Sequence, residues 1–72
     1  MVKIKYVGYL AELAGEREVE IEIRGLEPVR SLVDPGVDLK EVIVLVNGKP
    51  SDLDKPVGGD DEVVVLPMAS GG

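Results

Sequence analysis

The sequence predicts an α+β domain, a mixed sheet of four to five strands with a short helix packed on one face. Three observations carry that prediction. Apolar and polar residues alternate over 2–7 and 17–24, the signature of half-buried strands. The β-branched run Val42 to Val46 leads straight into Asn47-Gly48, the strongest short hairpin signal a sequence carries. Between these segments, Val29, Leu32 and Val33 fall on one helical face behind Pro28. A sheet and a helix in two layers bury all of these apolar sides.

In the first strand Val2, Ile4 and Tyr6 point one way and Lys3, Lys5 and Val7 the other. Gly8 breaks it, and Tyr9, Leu10, Leu13 and Ala14 follow at helical spacing before Gly15, which suits a left-handed C-cap. In the second strand Val19, Ile21 and Ile23 oppose Glu18, Glu20, Glu22 and Arg24. That clean polar face places it at a sheet edge, antiparallel to the first strand. The main helix is barely two turns, because Pro35-Gly36 stops it. Val42 to Val46, apolar on both faces, belongs inside the sheet, and Lys49 to Asp52 returns as a short strand. Asp54 to Val57 reads as one turn of 3₁₀ helix, and Gly58 to Asp61 as a further turn. Val63 to Leu66 is the last strand, ended by Pro67, which lacks a ladder donor. Residues 1–67 thus form the domain. Residues 68–72 form a tail expected to make no ladder bonds and to be mobile.

Composition narrows the chemistry. A chain of 72 residues buries only about 60% of its unfolded surface, so one modest core is the limit. Fourteen acids against eight bases give a net charge of −6, and no basic stripe exists to neutralise nucleic-acid phosphates. No apolar run approaches the roughly 20 residues that span a bilayer, and Glu12 interrupts any leader-like stretch. The expectation is a cytoplasmic domain that binds neither nucleic acid nor membrane and is a monomer when free. With no Cys and no His, there is no thiolate nucleophile, no soft-metal site and no general base poised near neutral pH. Asp52-x-Asp54 opens like a calcium loop, but Pro56 and Val63 occupy ligand positions, so no metal site is expected. The reading is a domain that is not itself an enzyme.

The chain finishes Ser70-Gly71-Gly72. Glycines without Cβ enter narrow channels and adopt angles other residues avoid. The α-carboxylate of Gly72 is unhindered but a poor electrophile, and a partner must activate it, most simply as a mixed anhydride with a nucleotide. Upstream, alternation leaves Val7, Leu45, Val64 and Leu66 on the open sheet face, away from the helix. Four such residues converging make a patch of the kind that marks interfaces. The acids Asp60, Asp61 and Glu62 and the Glu18–Glu20–Glu22 face read as solvated, with a capacity to steer the domain toward a basic partner.

The segments Val46-Asn47-Gly48-Lys49-Pro50, Asp52 to Val57, Gly59 to Val63 and the ending Leu66-Pro67-x-x-Ser70-Gly71-Gly72 resemble the small subunit of molybdopterin synthase. Lys3 to Tyr6 followed by Leu10 to Gly15 resembles the same family's first strand and helix. The resemblance extends over nearly the whole chain to the ubiquitin-like sulfur carriers of MoaD/ThiS type and to small archaeal protein modifiers. Two places depart: Gly25 to Lys40 allows only a short helix, and Met68 and Ala69 replace a proline and a valine common in the synthase subunits. The resemblance implies the β-grasp fold. It also implies that an E1-like activating enzyme, using ATP and magnesium, adenylates Gly72, with Gly71, Ser70, Ala69 and Met68 recognised as the tail. A sulfur donor then makes a thiocarboxylate, and the carrier binds no cofactor of its own. The acceptor it implies is the molybdopterin synthase large subunit or another sulfur acceptor. In the modifier branch, lysines of target proteins take that place.

Overall fold

The computed structural model describes residues 1–68. Strands β1 (Val2–Tyr6), β2 (Glu18–Ile21), β4 (Val42–Val46), β5 (Lys49–Ser51) and β7 (Glu62–Pro67) form one sheet in the order β2-β1-β7-β4-β5. Strands β3 (Glu27–Pro28) and β6 (Pro56–Val57) pair separately. The helices are α1 (Leu10–Ala14) and α2 (Val29–Leu32). β1 and β7 run parallel, and the other pairs in the main sheet are antiparallel. The last strand therefore lies in the middle. This is the β-grasp arrangement.

Period two explains the core. Val2, Ile4 and Tyr6 of β1, Val42, Val44 and Val46 of β4, and Val63 and Val65 of β7 are all buried on one face. Leu10 of α1, Val29 of α2, Val57 of β6, and Val33 and Val37 from the connections cover them. Fully burying one such side chain is worth about 1.5–3 kcal/mol. β2 sits at the sheet edge with Glu18 and Glu20 exposed, antiparallel to β1 as its alternation predicts. Gly15 caps α1 with φ 83°, and its N–H donates to Ala11 O. Asn47 and Gly48, at φ 51° and 82°, make the hairpin turn whose twist matches the strands it joins.

The structure corrects three expectations. Asp54 to Val57 is not a 3₁₀ turn: Pro56–Val57 is extended and pairs with Glu27–Pro28. Proline at β6 is tolerated because this two-residue ribbon is edge on both sides. The 3₁₀ turn lies instead at Leu39–Glu41, where Asp38 Oδ1 accepts the N–H of Lys40 at 2.9 Å. The main helix is a single turn with Pro28 as its N-cap, and Val33 is already extended. Arg30 N–H donates to Leu53 O and Val29 N–H to Lys55 O, so backbone bonds to the 53–55 segment hold a helix too short to persist alone. Finally, ladder bonding continues past Pro67, because Met68 N–H donates to Glu41 O at 2.9 Å.

A buried phenol organises the loop after α2. Tyr6 Oη accepts the N–H of Asp34 at 2.9 Å, and Asp34 Oδ2 accepts that of Gly36 at 2.7 Å. Burial pushes the Tyr6 hydroxyl above its ordinary pKa, and the negative charge of Asp34 adds to the effect, although the Asp34 N–H bond opposes it.

Candidate docking face and tail exit

The side of the main sheet opposite α1 and α2 divides into a charged half and an apolar half. One row across it reads Glu18, Lys5, Val64, Leu45, Pro50, each facing the next on the neighbouring strand. The next row pairs Leu66 with Ile43. Val7 lies just past β1 and is held there by its N–H to Val65 O at 3.0 Å. The structure thus brings Val7, Leu45, Val64 and Leu66 to one face. Val7 is 39% exposed and the other three are half-buried.

Sequence reading missed Ile43, which is 40% exposed on the same face. The signal was present, since Ile43 stands two residues from Leu45 in a strand whose alternate valines are core. At the other end of the sheet the face becomes ionic. Lys5 Nζ lies 3.6 Å from Glu62 Oε2 and Lys3 Nζ 4.0 Å from Glu18 Oε2, pairs too exposed to add much stability.

β7 carries the chain along this apolar half and out beside it. Pro67 faces Val42 of β4 on one side. On the other it abuts Gly8, whose Cβ, if present, would stand 3.9 Å from Pro67 Cγ. Met68, 51% exposed, leaves the sheet bonded to Glu41 O. The predicted tail residues Ala69, Ser70, Gly71 and Gly72 lie outside the described residues.

The acids have local tasks. Asp52 Oδ1 accepts Asp54 N–H at 2.9 Å, and Asp54 Oδ1 accepts from Arg30 Nε at 2.8 Å, which accounts for the calcium-like spacing as a turn. Among the described residues no cluster of three or more acids could hold a metal ion. No described helix is long and apolar enough to cross a membrane.

Comparisons with known proteins agree with this fold. The crystal structure of SAMP1 from Haloferax volcanii superposes with a TM-score of 0.78 at 25% identity, covering 99% of this chain and 98% of that one. A Pyrococcus furiosus protein described as molybdopterin converting factor, subunit 1, gives 0.74 at 28% identity, covering 94% and 97%. Urm1 from Sulfolobus solfataricus shares the fold, with a TM-score of 0.64 at 22% identity over 92% and 99% of the two chains. No curated protein matches the sequence. The pattern of the ThiS family, however, matches residues 4–72, from the first strand through both final glycines, and the chain belongs to the ThiS family.

Proposed function

We propose that this protein is a sulfur carrier, a protein cosubstrate whose reactive atom is the terminal carbonyl carbon of Gly72. The observation that carries the reading is that the family match runs through Gly71-Gly72 rather than stopping at the sheet. In the first step a Gly72 carboxylate oxygen attacks the α-phosphorus of ATP on an E1-like enzyme, with magnesium, and pyrophosphate leaves. A sulfur nucleophile from a donor then displaces AMP and leaves a thiocarboxylate. The acceptor is the large subunit of a molybdopterin synthase, and the whole sequence is cytoplasmic. Likeness to a molybdopterin converting factor subunit supports that acceptor. The open face of Val7, Ile43, Leu45, Val64 and Leu66 seats the partner, and Met68 to Gly72 reach from its margin into the activating site.

The likeness to SAMP1 over 99% of the chain favours a second reading, a modifier whose activated Gly72 forms an isopeptide bond with lysines of target proteins. Both readings share the adenylate. Deleting Gly72 shifts the carboxylate by about 3.3–3.6 Å, and a 1 Å misplacement can cost about 100-fold in rate. The deletion is expected to abolish ATP–pyrophosphate exchange with the activating enzyme while the thermal melt stays unchanged. Normal exchange by the deletion variant would refute both readings. Intact mass after adding a sulfur donor then separates them: sulfur replacing one oxygen marks the carrier, and lysine conjugates mark the modifier.

A further inference from the structure

Asn47 does more than turn β4 into β5. Its N–H donates to Glu62 O at 2.8 Å, its Oδ1 accepts the N–H of Glu62 at 2.9 Å, and its Nδ2 donates to Asp61 Oδ1 at 2.9 Å. The other carboxylate oxygen of Asp61 accepts the N–H of Gly58 at 3.0 Å. One amide side chain therefore latches the hairpin turn to the 58–61 turn. Asparagine followed by glycine is also prone to a self-reaction, because glycine offers its backbone nitrogen with no Cβ in the way. The Gly48 nitrogen attacks Asn47 Cγ, the Cγ–Nδ2 bond breaks, and Nδ2 leaves as ammonia with the proton from the Gly48 nitrogen. Water then opens the cyclic imide at either carbonyl, giving aspartate or isoaspartate at position 47.

We infer that Asn47 is a deamidation site which the native fold holds shut, and whose reaction releases the 58–61 turn. The turn is exposed and the space around Gly48 is open, so water reaches it freely. What closes the site is the side chain's engagement. Cyclisation needs Asn47 Cγ over its own following peptide, whereas both ends of the amide are bonded across to residues 61 and 62. Both bonds must break together before attack. After reaction the Nδ2 donor is gone and a carboxylate faces Asp61, so the latch gives way to repulsion. The isoaspartate product also adds a carbon to the backbone inside a two-residue turn and disturbs the Val46–Lys49 register. The latch lies at the Glu62 end of β7, opposite Met68, so this chemistry is independent of the tail.

The test is peptide mapping by mass spectrometry of the full chain held at mildly alkaline pH. Deamidation at position 47 is expected to be at least about tenfold slower in folded protein than in urea, the protection of a local opening costing about 1.4 kcal/mol. Equal rates would overturn the inference. Asp61→Ala, shown to be folded by circular dichroism, is expected to react several-fold faster than wild type, and an unchanged rate would also overturn it. Should Asp61→Ala not fold, the comparison of the folded wild-type chain with the chain in urea decides alone. Purified deamidated protein should show faster amide exchange at Gly58 and Asp61. Undiminished protection there would refute the release.

Discussion

Gly58 stands where two backbones touch. A Cβ placed on it would lie 2.4 Å from Gly25 O and 2.9 Å from Leu26 Cδ2, and the first of these is main chain that cannot swing away. Gly58→Ala is therefore expected to cost about 1–3 kcal/mol, the usual range for overpacking. At about 4–8 °C per kcal/mol for a domain of this size, a thermal melt will show it plainly. Gly59→Ala meets only open space and carries just the left-handed strain of φ +59°, about 1–2 kcal/mol. Tyr6 supplies a second prediction at this scale. Its hydroxyl has a raised pKa in the fold, so its contribution is complete below the unfolded value of about 10 and is lost as pH rises through the folded value. Urea midpoints measured across the alkaline range should fall for wild type. Tyr6→Phe should fall less steeply, from a lower start because Asp34 N–H loses its acceptor.

Strand β4 shows two adjacent residues with opposite duties. Val44 is buried, whereas Leu45 turns to the open face between Val64 and Pro50. Leu45→Asp is expected to keep the fold by circular dichroism, at a cost of about 1 kcal/mol for its half-buried side chain. It should weaken binding to the activating enzyme about 30-fold or more, the loss expected of a central interface residue. Val44→Asp should unfold the protein, since it buries an unpaired charge. Loss of structure in Leu45→Asp would make the face part of the core. This alternation was legible in the sequence, as were the Asn47-Gly48 hairpin and the Gly15 cap, because each rests on local backbone geometry. The β3–β6 ribbon was not. Glu27–Pro28 and Pro56–Val57 are two-residue segments with no periodicity, and only the fold brings them together. The open apolar face was readable except for Ile43, and of the tail only Met68 falls where its geometry can be described.

Across the whole molecule, the core depends on β1 and β7 meeting from opposite ends of the sequence. Ile4 is fully buried on β1, facing Val63 of β7 and Val19 of β2. Ile4→Val is expected to cost about 0.5–1.5 kcal/mol and Ile4→Ala about 2–5. At roughly 0.05–0.15 kcal/mol per residue, a domain of 72 residues has about 4–11 kcal/mol in total, so Ile4→Ala removes a large share of it. Denaturant titration should therefore find Ile4→Val folded with a slightly lower midpoint and Ile4→Ala with a midpoint reduced several times as far. The strand order that creates this dependence could not be read from periodicity, which assigns faces but not neighbours. It has a bearing on biosynthesis. Until Glu62 to Pro67 have been made, β1–β2 and β4–β5 are two hairpins with nothing between them, and isolated hairpins are marginal in water. The apolar face does not exist in a shorter chain, because two of its members, Val64 and Leu66, and the packing of the rest depend on that central strand. On the function proposed above, a partner docking on this face would engage only chains whose central strand is in place, so assembly of the sheet would precede engagement of the tail.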